Sequence, residues 1–415
     1  MSINAPAASH AVDGLTPRSI AEPSSVDELC AALHHANERG QAVIPWGAGL
    51  HMSLGNAPAR YDIALRTAKL DRVVEHEPAD LMVTVECGTT MGRLQSLLAG
   101  HGQFLPIDAP AEATVGGVLA AGLSGPSRHA YGLPRDWLIG CRLALADGTL
   151  VKCGGRVVKN VAGYDLQKLV IGSLGTLGVI VEATFKVAPL PVAQETLAAT
   201  FESLDGASAA VRAADERSLA LRAVAVRQPG ATALFWLAGP RAAVERSRGE
   251  IEEICRSGQA ERVEDSAPAA AWELAGGAGG VTIRASLLPS QVPGLMSRIE
   301  RARTEPGLAA DALAYPTTGL VVAHVDQPDR ERLAAFVEST RGEIEGAGGS
   351  LVVTSAPPEA KRRLDVWGPS TLRLGSGQAG SGQDTAGSAL PLMRRLKEQF
   401  DPRGTLNPGR FMGGI

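Results

Sequence analysis

The chain has 415 residues, a net charge of −4 and 4% aromatic residues, with basic and acidic side chains intermixed. That length supports a large core and predicts two domains, while the absence of a basic stripe and the scarcity of aromatics argue against nucleic acid as a partner. The five cysteines, Cys30, Cys87, Cys141, Cys153 and Cys255, form no C-x-x-C pair. Scattered thiols predict reduced cysteines in a cytoplasmic protein with no iron–sulfur cluster or structural zinc of its own. No apolar run reaches the roughly 18 residues of a spanning helix, and MSINAPAASHAVDG lacks the segments of a secretory signal.

Residues 1–19 read as a polar lead. Ser25 is the expected N-cap of a helix, with Glu28 completing a capping box and Leu29, Ala32, Leu33 and Ala36 on one face. Residues 42–45 read as a strand, a loop with Gly47, Gly49 and Gly55 follows, and residues 61–65 read as a further strand. Alternation at Val83, Val85 and Cys87 predicts another strand, and residues 89–98 a helix. Asp147-Gly148 predicts a hairpin over 137–151. Pro189 and Pro191 mark the expected boundary of a first domain covering 20–190. In 191–369, helices (ASAAVRAADER, RAAVERSRGEIEEICRS, ERLAAFVESTRGEIEGAG) alternate with strands (LRAVAVRQ, ATALFWLAG, VTIRASLLP, GLVVAHVD, LVVTSAP). This order predicts an α+β domain with a mainly antiparallel sheet. Residues 370–388 carry a GSGQ repeat and read as a low-complexity loop. Residues 389–415 form a helix, PLMRRLKEQF, and a tail.

Three glycine-rich segments carry the functional signal, in a chain with 48 glycines against a usual share of about 7%. The first is Trp46-Gly47-Ala48-Gly49-Leu50-His51. A Gly-x-Gly turn after a strand gathers backbone N–H groups into an anion-binding nest, or is an ordinary tight turn. The second holds Pro110, Ala113, Thr114, Val115, Gly116, Gly117 and Gly122. It makes a smooth surface for a ring or pyrophosphate, or a small-residue helix packed on a sheet. The third is Gly172, Ser173, Gly175, Thr176 and Gly178, running into Val179 and Ile180. Its glycines let a ligand approach the main chain, and its hydroxyls add donors. No strand–GxGxxG–helix unit is present, which disfavours a nicotinamide enzyme.

Together these segments and the closing LNPG, with Asn407, resemble the FAD-binding domain of the vanillyl-alcohol oxidase family, the PCMH-type FAD domain. The resemblance implies a PCMH-type FAD-binding domain of two α/β subdomains, a second α+β cap domain, and a tail that returns to the first. It implies that the first two segments wrap the FAD pyrophosphate and the third lies along the cofactor. Within the family, PWGAGLH, DAPAEATVGGVLAAGLSGPSRHAYG, VVKNVAGYDLQKLVIGSLGTLGVI and FDPRGTLNPGR look like the FAD-binding subunits of bacterial glycolate oxidases. That implies a small 2-hydroxy acid substrate, a homologous FAD-binding catalytic subunit, an iron–sulfur subunit, and inner-membrane contact only through the complex.

Two departures from the family follow. Where some relatives attach flavin through the histidine of an R-x-G-G-H loop, this chain has Leu50, with His51 one position later. Non-covalent FAD and a solvated His51 are therefore expected. Where hydroxy-acid relatives carry H-x-G-D-G-N-x-H, residues 314–321 hold no histidine, aspartate or asparagine, so no metal is expected. Arg222, Arg227, Arg284 and His324 lie on second-domain strands and either face the flavin or serve structure. The alternatives are an autonomous FAD-dependent 2-hydroxy-acid dehydrogenase of D-lactate type and a flavin-free assembly subunit.

Overall fold

The computed structural model describes residues 7–155, 165–260, 262–265, 272, 274, 279–304, 307–327, 329–368 and 389–415. The expected loop at 370–388 lies outside them. Strands β1 (Ser19–Ala21), β2 (Val43–Trp46) and β3 (Ile63–Arg66) form a parallel sheet in the order β1-β3-β2. Helix α1 (Val26–Glu38) covers it with Leu29, Leu33 and Ala36. Ser25 caps α1 by accepting from the Glu28 N–H. The capping box is shifted by one residue: the Glu28 carboxylate accepts from Ser24 N and Ser24 Oγ, at 2.8 and 2.9 Å, and not from Ser25.

Strands β4 (Val73–Glu77), β5 (Met82–Glu86), β6 (Gln103–Phe104), β7 (Leu138–Ala144), β8 (Leu150–Gly154), β9 (Val179–Lys186) and β10 (Ala188–Pro189) follow. An antiparallel sheet takes the order β4-β5-β9-β7-β8, and β6 pairs with β10. The hairpin around Asp147-Gly148 is β7–β8, and Thr149 N donates to Asp147 Oδ1 at 2.8 Å. Helix α2 (Met91–Ala99) starts at the Thr90 cap, two residues later than the sequence pattern suggests. Helix α3 (Val115–Ala121) is capped by Thr114 and ended by Gly122 at φ +63°, a conformation that glycine adopts without the Cβ penalty. Its small residues bring it close to β9, where a Cβ on Gly116 would meet Ile180 O at 3.6 Å. The short helices α4 (Arg128–Tyr131) and α5 (Pro134–Trp137) then lead into β7.

The rest of the chain builds one eight-stranded sheet from β11 (Ala193–Thr200), β12 (Leu221–Gln228), β13 (Thr232–Gly239), β14 (Arg262–Asp265), β15 (Val281–Ser286), β16 (Ala309–Tyr315), β17 (Leu320–Asp326) and β18 (Ser350–Ser355). The order is β14-β11-β13-β12-β16-β17-β15-β18, antiparallel throughout. Helices α6 (Leu204–Asp215), α7 (Arg241–Ser257), α8 (Val292–Ala302) and α9 (Arg330–Gly346) cover one face, packing on Leu197, Phe235, Ile283 and Val325. Each such side chain removed from water contributes about 1.5–3 kcal/mol. The other face carries Leu234, Leu313, Tyr315 and Leu320. Helix α4 packs against β12, and His129 Nδ1 lies 2.9 Å from Thr317 Oγ1, so the two halves meet there. After α10 (Pro358–Lys361) and α11 (Leu390–Phe400) the tail returns to β2. Val43 N donates to Thr405 O at 2.8 Å and Asn407 N to Val43 O at 2.9 Å, which extends the open edge of the parallel sheet.

Candidate functional site

The three glycine segments converge on one cleft with about 770 Å3 of free space, part of it open to solvent. Its lining includes Trp46, Gly47, Ala48, Gly49, Leu50 and His51 from the first loop, and Ala113, Thr114, Gly116 and Gly117 from the start of α3. Gly175, Gly178, Val179, Ile180 and Asn407 complete the wall. Among the described residues no aspartate or glutamate lines it, and Arg410 does.

Close backbone approach explains the glycines. A Cβ on Gly47 would stand 2.0 Å from Thr114 Oγ1, and one on Gly178 2.6 Å from Leu143. Gly49 sits at φ +79° against the Trp46 ring. Trp46 is fixed from behind, its Nε1 donating to Tyr61 Oη at 2.6 Å. Among the described residues, the backbone N–H groups of Gly47 to His51 donate to no protein acceptor.

Other expected residues have different surroundings. Pro110, Val115, Gly122, Gly172, Ser173 and Thr176 are outside the lining. Val115 is buried in the core beneath it. Ser173 and Thr176, expected to offer hydroxyls to a ligand, commit them to the turn: Ser173 Oγ donates to Val170 O and Thr176 Oγ1 to Ser173 O, both at 2.8 Å. His51, expected in solvent, is half-buried in the cleft wall, and burial lowers its pKa.

The four second-domain residues separate by their partners. Arg222 crosses to the first half, where its Nε donates to Ser127 Oγ at 2.9 Å. Its guanidinium lies over the Trp236, Phe104 and Tyr131 rings at 4.0, 5.0 and 5.6 Å. Ser127 in turn donates from N and Oγ to Asp108, at 2.7 and 2.8 Å. Burial raises the Asp108 pKa, and the Ser127 bonds and Arg222 oppose that. Arg227 stands 3.7 Å from Asp311, and His324 Nδ1 3.1 Å from Thr282 Oγ1. Arg284 differs from these. Its neighbours Ile283 and Ala285 point into the helix-covered core, so strand alternation puts Arg284 on the opposite face. Its side chain makes no hydrogen bond or ion pair among the described residues. Its pKa is lowered first by burial and then by the positive charge of Arg128, whose side chain is likewise unpaired among those residues.

Sequence reasoning missed two cations. Arg410 follows the LNPG motif directly and is buried. Lys361, in α10, has no motif around it. Residues 314–321 form the end of β16, a 3-10 turn at Pro316–Thr318 and the start of β17. Among the described residues no three His, Cys, Asp or Glu side chains group as metal ligands.

Comparison with known proteins agrees with this geometry. Residues 17–154 match the FAD binding domain family and residues 382–411 the C-terminal domain of FAD linked oxidases. Glycolate oxidase subunit GlcD of Bacillus subtilis is 26% identical across 95% of this chain and 89% of its own length. Glycolate oxidase subunit GlcE of Escherichia coli is 42% identical across 30% of this chain and 37% of its own length. A solved alkyldihydroxyacetonephosphate synthase superposes with a TM-score of 0.69 at 18% identity, covering 95% of this chain and 76% of that one, and so shares its fold.

The cleft fits FAD. The open N–H groups of residues 47–51 suit a pyrophosphate, a nest reinforced by the lack of carboxylates among the described lining residues. The faces of Gly116, Gly117, Ala120 and Ala121 leave room for an extended ligand. The flavin-free reading is left without support.

Proposed function

From the matches of residues 17–154 to the FAD binding domain and of 382–411 to the C-terminal domain of FAD linked oxidases, we propose that the chain belongs to the FAD-linked oxidoreductases with a PCMH-type FAD-binding domain and is the FAD-binding, GlcE-type subunit of a glycolate oxidase complex. In this reading it takes part in oxidising glycolate to glyoxylate, and electrons leave through flavin to an iron–sulfur partner beside a homologous flavoprotein subunit. The relatives named as glycolate oxidase subunits support it, as do the sequence motifs shared with such subunits. The complex would be cytoplasmic and reach the inner membrane only through its partners; among the described residues no helix is long and apolar enough to cross one.

The cofactor contacts proposed are the open N–H groups of 47–51 for the pyrophosphate and the face of α3 with Gly175, Gly178, Val179, Ile180 and Asn407 for the rest. FAD is proposed to be non-covalent, since Leu50 stands where a histidine attaches flavin in some relatives. Bound FAD supplies a two-electron acceptor for the hydride of the substrate's C–H bond.

One observation carries the hydroxy-acid half of the reading: Arg284 is half-buried, its pKa lowered by burial and then by the positive charge of Arg128 from the first half of the chain, and neither side chain has a carboxylate partner among the described residues. Holding such a pair half-buried costs free energy that an anion offsets. A carboxylate suits a guanidinium because it accepts two parallel hydrogen bonds. These two side chains are proposed to bind and orient the substrate carboxylate, while Arg222 holds the two halves together.

The test is anaerobic addition of glycolate to the purified full chain, followed by co-purification with its partners and flavin and iron counts per chain. Slow bleaching alone and fast bleaching in the complex is the expected result. Full bleaching of the lone chain at a turnover rate would instead favour an autonomous 2-hydroxy-acid dehydrogenase of D-lactate type. The long alignment with the Bacillus subtilis protein is the observation on that side.

A further inference from the structure

Two buried cations hold four consecutive backbone carbonyls just after the open N–H groups of residues 47–51. Arg410 Nη2 donates to Met52 O and Leu54 O, each at 2.6 Å. Lys361 Nζ donates to Ser53 O at 2.5 Å and Gly55 O at 3.0 Å. The two cations alternate along the loop, so the carbonyls of 52, 53, 54 and 55 are all engaged. The Lys361 side chain is 2% exposed, and its ammonium also meets Asp13 Oδ2 at 2.9 Å, a carboxylate that is itself 5% exposed. Arg410 Nη1 reaches Asn407 Oδ1 at 3.4 Å, and Asn407 Nδ2 donates to Leu174 O in the third glycine segment. Asn56 N donates back to Arg410 O at 2.9 Å.

Burying a lysine and an arginine is costly unless each is well bonded. A carbonyl drawn to a cation cannot turn back to accept from the N–H groups that precede it. Those donors are then left facing the cleft. We propose that Lys361 and Arg410 are positioning residues: by holding the carbonyls of residues 52–55 they set the loop 47–51 for the pyrophosphate of the dinucleotide. Lys361 lies beyond the eight-stranded sheet in sequence, so the second half of the chain determines how well the first half binds its cofactor. The inference rests on the FAD reading of the cleft, though not on the substrate.

The test uses the full chain with Lys361→Met, Lys361→Arg and Arg410→Lys, titrated with FAD, ADP and riboflavin while the melting temperature of each apo form is followed. Lys361→Met is expected to weaken FAD and ADP by about tenfold or more, the scale of one unsatisfied buried acceptor, with riboflavin unchanged. Lys361→Arg, which keeps the charge and the donors, is expected to recover most of that loss. Native FAD affinity in Lys361→Met overturns the proposal. So does a parallel loss for all three ligands that tracks the fall in melting temperature, which a purely structural lysine would give. If Lys361→Met does not fold, the FAD-over-riboflavin ratio of Arg410→Lys decides, because that variant keeps the charge and loses the fork; an unchanged ratio overturns the proposal. A native chain that takes up no FAD would sink the cofactor assignment itself, a result separable from any of these.

Discussion

Replacing Gly47 with alanine tests the contact between the first loop and α3. The added methyl would stand 2.0 Å from Thr114 Oγ1 and 3.2 Å from its Cβ. Gly47 is not at positive φ, so the backbone itself tolerates alanine and the cost is steric. Thr114 cannot move without loosening the cap it provides to Gly117 N, at 3.3 Å. Losing that cap costs roughly 0.5–2 kcal/mol, and overpacking adds about 1–3 kcal/mol. Gly47→Ala is therefore expected to destabilise the apo chain by about 2–4 kcal/mol and to weaken FAD, because the shifted loop misaims its N–H groups. Thr114→Ala removes the obstructing oxygen, and in the double variant the second substitution should cost less than it does alone, with a coupling of about 1–3 kcal/mol. Urea unfolding of the four apo proteins gives the cycle, and flavin absorbance on titration gives the affinity. Additivity within about 0.5 kcal/mol, or native FAD affinity in Gly47→Ala, would refute the reasoning.

Other outcomes follow from the same geometry. Arg284→Met should lower kcat/KM for glycolate by about 10- to 100-fold, the worth of a charged hydrogen bond, with unchanged FAD affinity and a melting temperature equal to or above native; loss of flavin would count against it. Arg222→Met removes a hydrogen bond and three ring contacts and should cost about 1–3 kcal/mol in denaturant unfolding, part of it recovered by adding Asp108→Asn. Burial raises the folded pKa of Asp108 above the usual carboxylate range, so the folded state holds that proton more tightly than the unfolded state. Its contribution to stability is present in acid and is lost as pH rises from about 4 through the raised pKa. Asp108→Asn should flatten that part of the melting-temperature profile, and a profile identical to native would refute the assignment.

Much of this was legible in the residues because local rules and tertiary structure agree. The Ser25 hydroxyl sits one residue before an apolar helical stripe, and it caps α1. Asp147-Gly148 makes the turn its dipeptide predicts. The even choice at 113–117 had no single answer, because the small-residue helix and the smooth cofactor-facing surface are the same element. The misses have physical causes. Helix α8 carries Pro293 and Gly294 in its first turn, which masks its periodicity. The hydroxyls of Ser173 and Thr176 were read as ligand donors because sequence cannot say that a backbone carbonyl three residues earlier will take them. Lys361 and Arg284 carry no motif. One is identified by the carbonyls it meets and the other by the partners it lacks, and both facts depend on residues distant in sequence.

The clamp on the first loop also bears on the order of biogenesis. Met52 and the arginine that fixes it are 358 positions apart, and the edge of β2 is likewise closed by Thr405 and Asn407. During synthesis at roughly 5–20 residues per second, the glycine loops leave the ribosome well before the groups that hold them. Contacts this distant form late, after the cost of closing the loop between them. Flavin capture is then a closing event in maturation rather than a nucleus for folding. A nascent chain stalled within the eight-stranded sheet should be colourless, and so should residues 17–154 expressed alone.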